Sequence, residues 1–150
     1  MILLSILTSI SEGMEYLGDN LLWWRIAFYL FLALGVSFLC SLLEAIILSV
    51  TWSHIEILKK DDKRSGEVLK KLKENIDQPL AAILTLNTIS HTLGAAGVGS
   101  EFHKIGNEWF TIASIILTIL ILVFSEIIPK TLGAIYWKRM APTAAYVLDI

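Results

Sequence analysis

The chain is poor in what soluble proteins usually carry: one cysteine, three prolines, three histidines and 17% charged residues in a length of 150. A single thiol, Cys40, closes no internal disulfide and reads as a small buried hydrophobe. Charge is sparse and nearly balanced at a formal net of −2, so no nucleic-acid partner is expected. Ten-residue stretches of alternating polarity are missing, which excludes a transmembrane β-barrel. No Lys or Arg precedes the apolar residues 1–10 and no small-residue cleavage motif follows them, so they do not match a secretory signal. Residues 1–20 are expected to form an extracytoplasmic, interfacial segment.

What the chain has is apolar length. Hydrophobic residues make up 55% of it, in three runs at 26–50, 80–98 and 109–128 with very few charges. Each approaches the ~20 helical residues needed to cross a bilayer core. The expected fold is an all-α membrane protein with three transmembrane helices at about 21–53, 79–99 and 109–129. Trp23 and Trp24, Trp52, and Trp109 read as interfacial anchors, and the first helix is expected to continue to about Leu58. Val68, Leu69, Leu72 and Ile76 form one stripe among lysines, predicting a cytosolic amphipathic helix on the membrane surface. Pro79 starts the second span, the Gly94–Ser100 stretch ends it, and Pro129 interrupts or closes the third. Residues 134–150 read as a juxtamembrane helix, apparently truncated, its last part (143–150) lying beyond the membrane domain at 21–142.

Lysine and arginine set the orientation. Lys59, Lys60, Lys63, Arg64, Lys70, Lys71 and Lys73 lie between the first two spans, and Lys130, Lys138 and Arg139 follow the third; only Arg25 and Lys104 lie on the other side. The N-terminus is therefore expected outside and the C-terminus in the cytoplasm, in a multi-pass protein of the plasma (bacterial inner) membrane.

Within this apolar setting Glu126 stands at the end of a long hydrophobic run, three residues before a proline. A charge at the centre of a membrane helix costs at least ~2.5 kcal/mol, so it calls for a partner. Ser37, Ser41 and Glu44 share one face of the first span; Asn87, Ser90, His91 and Gly94 share one face of the second. Hydroxyl, amide and carboxylate oxygens form a hard donor set that suits Mg²⁺ or Na⁺. Blander roles stay open. Serines also bond back to i−4 carbonyls, Asn87 also joins helices, and Lys130 stands one turn from Glu126. His91 fits a packing role better than a ligand role, Gly94, Ala95, Gly97 and Gly99 suit close helix packing, and His54 and His103 read as solvated.

Three segments together resemble one family. Ser37-Phe-Leu-Cys-Ser-Leu-Leu-Glu-Ala-Ile-Ile-Leu-Ser49, Ile83-Leu-Thr-Leu-Asn-Thr-Ile89 and above all Ser125-Glu-Ile-Ile-Pro-Lys-Thr-Leu-Gly133 are similar to the membrane motifs of the cyclin M (CNNM) / CorC magnesium transporters. The resemblance implies a homodimer of three-span subunits and Mg²⁺ export, with Na⁺ entry as the driving force and a dehydrated Mg²⁺ bound in mid-membrane. By position it implies Ser37, Ser41, Asn87 and Glu126 as ligands, with Glu44, Ser90 and Ser125 or carbonyls near Ser125 as additional candidates. Pro129 and Lys130 would shape the bend beside them. Leu42, Leu86 and Ser125 stand where the family carries glycine. The cytosolic CBS domains usual in the family are absent from this sequence. The competing functions are a non-transporting metal sensor or a dimeric membrane anchor. No HExxH-type pair supports an enzyme, and none is expected.

Overall fold

The computed structural model describes residues 18, 20–61, 64–105 and 107–149, the side chains of 105 and 107–109 excepted. The expected 1–20 segment and the Trp109 anchor thus lie, the first almost wholly and the second by its side chain, outside the described residues. All regular structure among the described residues is helical. Helix α1 is Asn20–Ser49, with a π-helical turn at Leu32–Val36. Helices α2 (Trp52–Lys60), α3 (Arg64–Glu74) and α4 (Asp77–Ile105) follow. Helix α5 covers 107–148 and holds a second π stretch at Ile121–Ile127.

Two helical stretches, Asn20–Ser49 and Phe110–Leu148, are long and apolar enough to cross a membrane. The 29 residues of α4 would reach about 43 Å, but Asn87, Ser90 and His91 lower its hydropathy below that of the other two. Phe28, Phe31, Leu39, Leu84, Ile115 and Ile119 all point outward. Apolar patches of that extent suit lipid, not water. The exposed hydroxyls behave accordingly: Thr85, Thr88, Ser114 and Thr118 each donate to the carbonyl four residues back, which satisfies them where no water is available.

Glycines set how closely the three long helices approach. A Cβ on Gly94 would lie 2.5 Å from Ala33 Cβ and 2.7 Å from the Ala33 nitrogen, so α4 meets the π turn of α1 backbone to backbone. A Cβ on Gly133 would lie 2.7 Å from Ala45 Cβ and 2.9 Å from the Leu42 oxygen, which brings α5 equally close to α1. The packing role expected of the Gly94 cluster is therefore visible at Gly94, and Gly97 rests against the Tyr29 ring.

Several expected boundaries move. The first helix ends at Ser49 rather than near Leu58: Val50 is extended (φ −62°, ψ 127°) and α2 restarts after Thr51. The break turns Ile55 and Leu58 onto a buried cluster with Ile46, Val50, Val68, Leu69 and the alanines of α5. Lys73 donates to the Ile47 and Leu48 carbonyls at 3.2 and 3.4 Å, capping the end of α1. Burial pushes its ammonium below the usual lysine range. The Gly94–Ser100 stretch does not end α4, which continues to Ile105 because its glycines serve helix contact. Pro129 does not close α5 either, since the π stretch before it widens the turn where the proline ring and its missing N–H would disrupt an α-helical ladder. Residues 143–148 accordingly continue α5 and form no separate juxtamembrane helix.

Helix α3 exists where the charge pattern placed it, but its apolar stripe is not free for a membrane surface. Val68 and Leu69 are buried and Leu72 packs beside them, covered by α2 and by Ala141, Ala144 and Ala145 of α5. His54 is likewise not solvated: its ring stacks edge-on against Trp137 at 5.1 Å. At the opposite end of the helices, buried Glu101 gathers Arg25 (3.8 Å) and Lys104 (2.6 Å).

Two outcomes follow for stability. Leu69→Ala should cost ~2–5 kcal/mol in unfolding measurements, as for a core leucine; a helix resting on lipid would give far less. Gly94→Val should lower the thermal midpoint through ~1–3 kcal/mol of overpacking against Ala33, read in the same detergent.

Candidate cation site

The two π turns face each other near the middle of the long helices. Each adds a residue to its turn and shifts the carbonyls out of α-helical register, a distortion frequent at functional sites. Ser125, fully buried in the second, donates across to the Leu34 carbonyl of the first at 3.1 Å, with Ala33 O at 3.5 Å. Its hydroxyl proton is therefore committed to backbone, leaving only lone pairs for any ion. Pro129 has no N–H to offer the carbonyls of the preceding turn.

Around this crossing the polar residues of three helices come together. Ser37, directly after the first π turn, donates to Asn87 Oδ1 of α4 at 2.5 Å and also touches His91 Nε2. His91 Nδ1 lies 3.9 Å from Glu126 Oε1. Lys130 Nζ lies 3.2 Å from Glu126 Oε2 and 3.2 Å from Glu44 Oε2. A continuous polar chain thus runs Asn87, Ser37, His91, Glu126, Lys130, Glu44. Ser37, Ser41 and Ser90 are almost completely buried, Asn87 nearly so, and Glu126 and Lys130 only in part.

Two oxygens in this region are buried without a hydrogen-bond partner, Ser41 Oγ and Glu44 Oε2. The Lys130 ammonium lies 3.2 Å from the latter and balances its charge, which leaves Ser41 Oγ as the oxygen without a polar partner. An orphaned buried hydroxyl costs ~1–3 kcal/mol and calls for an explanation such as an ion. Among the described residues no three His, Cys, Asp or Glu side chains form a metal-binding group by themselves. Any cation here would draw on serine, asparagine and carbonyl oxygens as well.

Of the four residues named by position, Ser37 and Asn87 meet directly and reach Glu126 through His91, while Ser41 is buried one turn beyond Ser37; Ser90 is buried one turn from Asn87, and Glu44 lies across Lys130 from Glu126. Ser37 reaches across helices instead of bonding back to its own. Leu86, in a glycine's place, is half exposed and points away from the site. Sequence reading undervalued His91 and Lys130: the first joins two expected ligands, the second neutralises two carboxylates. The i+4 spacing of His91 from Asn87 was the signal available for the former.

Comparisons with known proteins give the family. Residues 28–150 match the family described as the cyclin M transmembrane N-terminal domain. A UPF0053 protein of Synechocystis is 34% identical over 113 residues, covering 75% of this chain and 33% of the relative. The UPF0053 inner membrane protein YfjD of Escherichia coli is 29% identical over 92 residues, 61% of this chain and 22% of its own length. A UPF0053 protein of Haemophilus influenzae is 30% identical over 108 residues, 70% and 25% respectively. The chain spans a third or less of these curated relatives. With apolar helices of membrane-crossing length and a family match over most of its residues, the chain is a membrane protein that belongs to the cyclin M transmembrane domain family.

Proposed function

We propose that this domain carries Mg²⁺ outward across the plasma (bacterial inner) membrane through a dehydrated intramembrane site, driven by Na⁺ entry. The observation that carries the reading is the polar chain from Asn87 and Ser37 through His91 to Glu126 beside the crossing of two π turns, with Ser41 Oγ left unbonded in the interior. Mg²⁺ surrenders its water reluctantly, so several preset oxygens must replace the shell. Freed carbonyls near Pro129 add to that number. Family membership supports a metal-transporter reading.

In this reading α1, α4 and α5 all span the bilayer, with the N-terminus outside. Arg25 and Lys104, the two cations on the outer side, are tied to Glu101, whereas the lysines of α2 and α3 face the cytoplasm. Homodimerisation would cover part of the outward apolar surface, and a cytosolic CBS-type domain would regulate transport.

A second reading has its own observation. Lys130 already balances Glu44 and Glu126 without any metal. A domain whose intramembrane charges neutralise each other would serve as a membrane anchor or a metal sensor that does not transport.

Proteoliposomes distinguish the two. Mg²⁺ should raise the thermal midpoint of the purified chain and leave preloaded vesicles against a Na⁺ gradient. Glu126→Gln should abolish both effects. Mg²⁺ binding without flux would favour the sensor, and undiminished Mg²⁺ binding by Glu126→Gln would remove the site.

A further inference from the structure

His91 is the one nitrogen ligand type inside an otherwise oxygen-rich cluster, and its two ring nitrogens face different partners. The proton count decides what each can do. Ser37 has a single hydroxyl proton and donates it to Asn87 Oδ1. The contact between Ser37 Oγ and His91 Nε2 then requires His91 to donate from Nε2. In the neutral ring the other nitrogen, Nδ1, is a bare lone pair. It faces Glu126 Oε1 at 3.9 Å, and that oxygen is also an acceptor.

Two acceptors turned toward each other inside a protein need positive charge between them, either a proton on Nδ1 or a bound cation. Lys130 does not supply it, because its ammonium sits on Glu126 Oε2, the other oxygen of the carboxylate. The separation itself is informative. Ligand atoms bound at about 2.0–2.1 Å to one tetrahedral metal stand about 3.4 Å apart, so the 3.9 Å from Nδ1 to Oε1 is about half an ångström wider than a bound ion would set. A small side-chain shift would let one ion touch both, while Lys130 keeps its place on Oε2.

We infer that His91 is a specificity-determining ligand, with its Nδ1 and Glu126 Oε1 holding a borderline divalent transition metal such as Co²⁺, Mn²⁺ or Zn²⁺ between α4 and α5. Imidazole suits these metals, whereas Mg²⁺ prefers oxygen. A site made of Ser37, Ser41, Asn87 and Glu126 alone would favour Mg²⁺; the ring at His91 tilts the same cluster toward softer ions. The inference rests on the reading of this cluster as a cation site, but not on Mg²⁺ being its cargo.

The test uses the full chain in detergent, titrated in parallel with Co²⁺ and Mg²⁺. Thermal midpoints report binding of both ions, and the visible absorption of Co²⁺ reports a nitrogen ligand. The wild-type chain should bind Co²⁺ more tightly than Mg²⁺ and show a Co²⁺ spectrum. His91→Asn, which keeps a polar group and removes the imidazole, should weaken Co²⁺ about tenfold or more and alter that spectrum, with a smaller change for Mg²⁺. Equal losses for the two ions would mean a structural role, and unchanged Co²⁺ binding would mean that His91 merely pairs with the carboxylate; either overturns the inference. Co²⁺ binding that depends on His91 in a chain indifferent to Mg²⁺ would uphold the inference and overturn the Mg²⁺ reading. Binding of neither ion overturns both.

Discussion

Two carboxylates, Glu44 and Glu126, lie within helices whose outer faces are built for lipid, and the rest of the structure answers to that constraint. An unpaired charge in such a place is expensive enough to compete with the whole stability of a small domain. Lys130 meets both acids at 3.2 Å, one turn after Glu126 on its own helix and across the interface to Glu44. That contact is possible only because Gly133 lets α5 lie against the backbone of α1 around Leu42 and Ala45. The glycine and the lysine are three residues apart for a physical reason: one sets the distance that the other's ammonium must bridge.

The π turns follow from the same demand. A regular helix spends every carbonyl on itself and offers an ion nothing but side chains. The π turns at Leu32–Val36 and Ile121–Ile127 take carbonyls of α1 and α5 out of α-helical register at mid-length, and Ser125 ties the two distortions together. The proline at 129 becomes tolerable in the middle of a long helix because the ladder is already out of register there. Beside the site, the α2–α3 hairpin packs on the small residues of α5, and its own Lys73 holds the end of α1. Movement of α5 against α1 would therefore be felt both at Glu126 and at the α2–α3 hairpin.

Much of the site was legible in the chain. Spacing alone placed Ser37, Ser41 and Glu44 on one face and Asn87, Ser90 and His91 on another, and helical geometry preserves such relations whatever the tertiary structure does. Helix ends were less legible. Val50 and Thr51 carry no glycine or proline to mark the break, and Pro129 and the Gly94–Gly99 run look like breaks but are not. In each case a contact outside the segment decides: the hairpin core rewards the turn at Val50, and interhelical closeness retains the glycines within a continuous helix. The stripe on α3 was read correctly as apolar and wrongly as lipid-facing, because periodicity reports that a face is buried and not what buries it.

By itself the sequence determined an all-helical membrane protein, its family, and the residue types available for a cation, since apolar run length, charge asymmetry and i, i+4 spacing are local properties of a chain. Only the tertiary structure decided which of those polar groups meet. Ser37 could have bonded to its own helix, and His91 could have packed inertly. Instead the close approach at Gly94 and Gly133 puts Asn87, Ser37, His91, Glu126, Lys130 and Glu44 in one continuous line. Distances between helices are set by the smallest residues at their crossings, and that information is spread over positions too far apart in sequence for any local pattern to carry.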